Sequence, residues 1–169
     1  MPVRILKKGP PAPADDLSLL EQKLGCPIPK DFLSFISENH GGTPETNEFD
    51  IPDTGNGSGI DTFFSVREML DLKERYASRF LTQAWPIAHA EGGNYLCLVC
   101  KDKPGIYFWD HELEQEEDSE PTWDNMFLLA RTFGEFWQAL KKFDVHAVQL
   151  KPGQVISTWS DPDFKPEFD

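Results

Sequence analysis

Residues Trp85 to Glu112 read WPIAHAEGGNYLCLVCKDKPGIYFWDHE, three short apolar runs separated by glycine-bearing turns and closed by a polar triplet. Trp85 to Ala88 and Tyr95 to Cys100 carry the aromatic and aliphatic residues that favour strands. Glu91-Gly92-Gly93-Asn94 lies between them, and glycine gives the positive φ that a tight reversal needs, so the pair reads as a hairpin. Lys103-Pro104-Gly105 is a second turn signal, placed before a third strand at Ile106 to Trp109. The runs are almost continuously apolar rather than alternating. They therefore predict a sheet buried on both faces, with helices as its cover.

Helices are expected on either side of this block. Asp15 or Asp16 is placed to cap a helix whose face holds Leu17, Leu20 and Leu24 and which stops at Gly25. Pro27-Ile28-Pro29 breaks the chain and starts a second helix, with Phe32, Phe35 and Ile36 as its buried stripe and Asn39-His40-Gly41-Gly42 as its end. Ser65 and Glu68 have the spacing of a capping box ahead of Val66, Met69, Leu70 and Tyr76. Thr132 and Glu135 repeat that spacing ahead of Phe133, Phe136, Trp137, Leu140 and Phe143. Further strands are expected at Phe49 to Ile51, Ile60 to Phe64, Trp123 to Leu129 and Val145 to Leu150, and Gly55-Asn56-Gly57-Ser58-Gly59 reads as a flexible loop. Helices before and after a central run of strands give an α+β fold with a central mixed or antiparallel sheet. The expected organisation is an extended, solvated N-terminal arm over 1–14, one domain over 15–143, and a C-terminal extension over 144–169.

The formal net charge is −13, which repels phosphate backbones and anionic lipid surfaces and favours a basic protein partner. No apolar run approaches a membrane span, and a cytoplasmic protein is expected. Three cysteines, Cys26, Cys97 and Cys100, are expected to be buried and reduced. Cys97 and Cys100 share one expected strand, where an offset of three puts them on opposite faces and keeps them from sharing a metal. The four histidines lack the i, i+4 spacing of a zinc protease, and no metal or cofactor is expected. The glycine-rich loop lacks the Lys-Ser/Thr of a phosphate-binding loop, and the glycines around Ser58 stand in the wrong register for the Gly-x-Ser-x-Gly of a nucleophile elbow.

Six carboxylates fall between Glu112 and Glu120, too dense a charge to bury. Together with the turn and exit of the opening block they form the candidate partner surface: Glu91, Asn94, Asp110, His111, Glu112, Glu114, Glu116, Glu117 and Asp118. A competing reading makes Asp110, His111 and His89 the acid-base group of a small hydrolase, since all three flank strand ends.

Five pieces in order resemble the SUKH superfamily, which includes a yeast cell-wall synthesis regulator and many bacterial immunity proteins. They are LEQKLGCPIPKDFLSFI from Leu20, NHGG from Asn39, WPIAHAEGGNYLCL from Trp85, GIYFWDHE from Gly105 and ARTFGEFWQAL from Ala130. The resemblance implies an α+β scaffold and a non-enzymatic protein-binding role. In the bacterial members it implies neutralisation of a polymorphic toxin, often a basic nuclease. A regulatory scaffold unrelated to toxins is the alternative within the same family.

Overall fold

A computed structural model describes residues 4–115 and 119–142. The expected strand at Val145 to Leu150, the rest of the 144–169 extension, Phe143, and Glu116, Glu117 and Asp118 lie outside the described residues. Strands and helices follow in the order β1 (Ile5–Lys7), α1 (Ala14–Leu24), α2 (Lys30–Asn39), β2 (Thr43–Pro44), β3 (Glu48–Ile51), β4 (Asn56–Phe63) and α3 (Val66–Arg75). They continue with β5 (Ala84–Ala90), β6 (Asn94–Val99), β7 (Gly105–Trp109), β8 (Met126–Ala130) and α4 (Phe133–Ala139). The result is an α+β domain.

Strands β3 to β8 form one antiparallel sheet whose spatial order is the chain order. The expected hairpin is present: Ala90 pairs with Asn94, and Gly92 and Gly93 have φ of 74° and 85° between them. Alternation along β6 and β7 divides the core. Leu96, Leu98, Ile106 and Phe108 face one side, while Cys97, Val99, Tyr107 and Trp109 face the other.

The first side receives buried residues from all four helices, including Leu20, Phe32, Phe35, Met69, Phe133 and Phe136. Phe35 is the junction, with ring centroids 4.8 Å from both Phe63 and Phe133 and 5.0 Å from Trp137. Truncating it to alanine would remove its ring contacts to β4 and α4 and cost about 3 to 5 kcal/mol. The second side is closed by Phe80 with Tyr76, Leu81 and Trp123, not by a helix. Two buried faces were legible in the apolar runs, but the helical cover on the second is replaced by aromatic side chains from connecting segments.

Three local expectations are corrected. Pro13, not Asp15 or Asp16, precedes α1, and its carbonyl accepts the N–H groups of Asp16 and Leu17 at 3.1 Å. Asp16 is instead 4% exposed and pairs with Arg67, tying α1 to α3. Asn56 to Gly59 are strand rather than loop, since β4 begins at Asn56 and pairs with β3, and the turn is Pro52-Asp53-Thr54-Gly55. Glycine permits this, because a Cβ at Gly57 would lie 3.0 Å from the Phe49 carbonyl oxygen. Helix α4 ends at Ala139 with Leu140 extended, and Lys141 then bridges to Glu48 on β3.

From residue 4 onward the expected arm is pinned to the domain ahead of α1, which begins at Ala14. Ile5–Lys7 pairs with Thr43–Pro44, and the N–H groups of Gly9 and Ala12 donate to Asn39 and Ser37 carbonyls at 3.2 Å. Cys26 and Cys100 form a disulfide between Cα atoms 6.7 Å apart, so the expectation of reduced thiols holds only for Cys97. The strand argument itself stands, since Cys97 packs on the second side of the sheet and Cys100 on the first.

Candidate functional site

The register Tyr95↔Trp109 carries Asn94 and Asp110 to the same end of adjacent strands. There Asn94 organises the two polar ends of the opening block. Its Oδ1 accepts the backbone N–H of His111 at 3.0 Å and lies 2.8 Å from the His111 ring Nδ1. Its Nδ2 donates to the Glu91 carbonyl at 2.9 Å. One amide thus joins the β5–β6 turn to the segment leaving β7, with every polar atom of its side chain used.

Asp110 is the next support. Its Oδ1 accepts from the Glu112 N–H at 2.9 Å, which caps the single turn His111–Leu113. The Asp110 N–H donates to the Asn125 carbonyl at 2.9 Å, and buried Asn125 returns its Nδ2 to the Asp110 carbonyl at 3.1 Å. These bonds fix the backbone and leave Glu91 and Glu112 exposed.

Glu114 is held by an ion pair. Arg79 grips it with Nε at 2.7 Å and Nη2 at 2.6 Å, a two-pronged pair that neutralises the carboxylate. The guanidinium also lies over Trp109 at 5.1 Å and Tyr76 at 5.4 Å, and the Glu114 pair is the main cause raising its pKa. Glu114 therefore anchors the segment after β7 to the aromatic side of the sheet.

Two carboxylates that the sequence did not single out extend this end. At Gly59 a Cβ would stand 3.0 Å from the Glu91 carboxyl carbon and 3.1 Å from Glu48 Oε1, so the two acids converge over a residue with no side chain. Burial, then the Glu91 charge, raises the Glu48 pKa above the ordinary carboxylate value. Asp61 Oδ2 lies 2.7 Å from His89 Nδ1. A glycine opposite a glutamate in a short strand was the only available signal, and it is too common to stand alone.

The candidate residues Asp110, His111 and His89 do not share one hydrogen-bonded group. His89 partners Asp61 and stacks edge-on to Tyr95 at 5.5 Å, whereas His111 partners Asn94. Among the described residues no set of three or more His, Cys, Asp or Glu side chains is placed to hold a metal ion. No helix among them is long and apolar enough to cross a membrane. What the arrangement offers is a rigid, mostly acidic end of a sheet.

Similarity to known proteins extends over the same elements. The chain is 31% identical to the SPbeta prophage-derived uncharacterized protein YokK of Bacillus subtilis (strain 168), over 72% of this chain and 71% of the relative. Residues 11–139, from the pinned arm through the end of α4, match a single family. That span contains both helices around Pro27-Ile28-Pro29, the six-stranded sheet and the Asn94 cluster, so the chain belongs to the SMI1 / KNR4 family (SUKH-1).

Proposed function

We propose that this protein is a non-enzymatic, cytoplasmic protein-binding module that acts as an immunity protein, neutralising a basic, nuclease-type toxin domain by covering it. The observation that carries the reading is the Asn94 cluster, which holds Glu91 and Glu112 exposed on a fixed backbone at one end of the sheet. The proposed contact residues are Glu91, Asn94, Asp110, His111, Glu112 and Glu114, together with Glu116, Glu117 and Asp118, which lie outside the described residues. Glu48 and Asp61 add to their negative potential. A net charge of −13 accelerates encounter with a cationic partner, and the preorganised backbone reduces the ordering cost of binding. Membership of the family and a prophage-derived relative both suit a protein carried with mobile toxin systems.

The test is co-expression with the C-terminal domain of a large secreted protein encoded beside its gene. Protection of the host is expected, together with a stable complex of the two purified chains. Paired reversal, Glu91→Lys with Glu112→Lys, is expected to weaken that complex by about tenfold or more at low salt. Unchanged affinity would remove this end of the sheet from the interface.

A further inference from the structure

Helices α2 and α4 leave a groove of about 360 Å³ between them, and its walls are aromatic and acidic. Phe35, Phe133 and Trp137 supply the apolar wall, Asp31 and Glu38 the charge, and among the described residues no cationic side chain lines it. Trp137 is held in place by stacking on Phe133 at 5.8 Å with 21° between planes and by Phe35 at 5.0 Å. Asp31 is equally fixed, since its Oδ1 accepts from Phe32 N–H at 2.9 Å and its Oδ2 from Gly134 N–H at 2.7 Å. Each carboxylate oxygen keeps further accepting capacity. Glu38 is exposed and enters none of the ion pairs among the described residues.

The chain's other described tryptophans show what such a surface takes. Lys73 lies over Trp85 at 5.6 Å, Arg79 over Trp109 at 5.1 Å, and Lys103 over Trp123 at 4.7 Å. Trp137 has no such cation from the described residues, yet two carboxylates stand beside it. A ring face with nearby carboxylates favours a planar, weakly hydrated cation over a neutral or anionic group.

We infer that this groove is a second recognition site, which receives an arginine side chain of a protein partner between Trp137, Asp31 and Glu38. The guanidinium stacks on the indole while its N–H groups donate to Glu38 and to the free lone pairs of Asp31. The site shares no residue with the acidic end of the sheet, and it stands whether or not the partner there is a toxin.

The experiment is a magnetic-resonance titration of the full chain with a short acetylated and amidated Gly-Arg-Gly peptide, beside the same peptide carrying neutral citrulline. The Trp137 indole N–H and the Gly134 amide are expected to shift saturably with arginine and not with citrulline. Glu38→Gln, an exposed change that leaves the core intact, is expected to raise the arginine midpoint about three- to fivefold. Trp137→Leu is expected to abolish the response while the remaining spectrum stays folded. Equal shifts with citrulline, an unmoved midpoint in Glu38→Gln, or no response of Trp137 in the full chain would each overturn the assignment.

Discussion

The Oδ1 atom of Asn94 meets His111 twice, at the backbone N–H and at the ring, and so locks the exit of β7 to the turn that precedes β6. Replacing Asn94 with alanine removes three contacts and leaves half-buried polar groups to water. A loss of about 1 to 2 kcal/mol in unfolding free energy is expected by urea titration. The affinity of any partner bound at Glu91 and Glu112 should fall with it. Asn94→Asp keeps the acceptor toward the His111 N–H and should recover part of the stability.

Arg79 and Glu114 form the second testable pair. Lysine at position 79 keeps the charge but loses the planar fork and the stacking on Trp109 and Tyr76. Arg79→Lys is therefore expected to cost about 1 kcal/mol, seen as a lowered thermal midpoint. A midpoint equal to that of the wild type would mean that the fork adds nothing beyond charge.

Lys73 makes a pH-dependent contribution of definite sign. Its ammonium donates to the carbonyls of Leu81 and Ala84 at 2.7 and 2.8 Å, and burial lowers its pKa to about 8. Between about 8 and the ordinary value near 10.5 the unfolded chain holds more protons than the folded one, so this group favours folding increasingly as pH rises. The wild type should gain on the order of 1 kcal/mol relative to Lys73→Met across that window, allowing for solvent screening of a half-buried group. Parallel pH profiles of the two proteins would refute the assignment.

The Cys26–Cys100 bond closes a loop between residues 74 apart in the chain. Its removal by Cys26→Ser is expected to cost about 2 to 4 kcal/mol. Cys97 is fully buried with its thiol pushed up to about 12 by burial, so a thiol reagent should label nothing in the native oxidised chain. One cysteine should react after unfolding without reductant, and three after reduction. Three reactive thiols in the unreduced unfolded chain would contradict the bond.

Where the governing interaction is short in sequence, the chain could be read directly. The Ser65 and Glu68 side chains each accept the other's backbone N–H within one turn, and the expected capping box is present. The glycine pair at 92 and 93 and the apolar stripe of α2 are likewise local signals that tertiary packing did not override. Asp16 misled because its partner is Arg67, far along the chain, and burial in a salt link left the capping role to Pro13. Gly57 and Gly59 misled because their value lies in what approaches them, the Phe49 carbonyl at Gly57 and the Glu48 and Glu91 carboxylates at Gly59. Asn94, Asp110 and His111 were legible as polar residues at strand ends. Their mutual bonding was not, since it depends on the β6–β7 register.

The six-stranded sheet keeps chain order, so each strand pairs with the strand before it in sequence, and the β4–β5 connection carries α3. The helical layer does the opposite, because Asp31 in α2 receives the N–H of Gly134, 103 residues later. During synthesis the earliest segments, α1 and α2, therefore emerge well before the strands and the final helix that bury them. They wait with Phe32 and Phe35 uncovered while the hairpins assemble one after another. The part of the molecule made first is completed last, and the period of greatest aggregation risk falls on the nascent chain rather than on the finished protein.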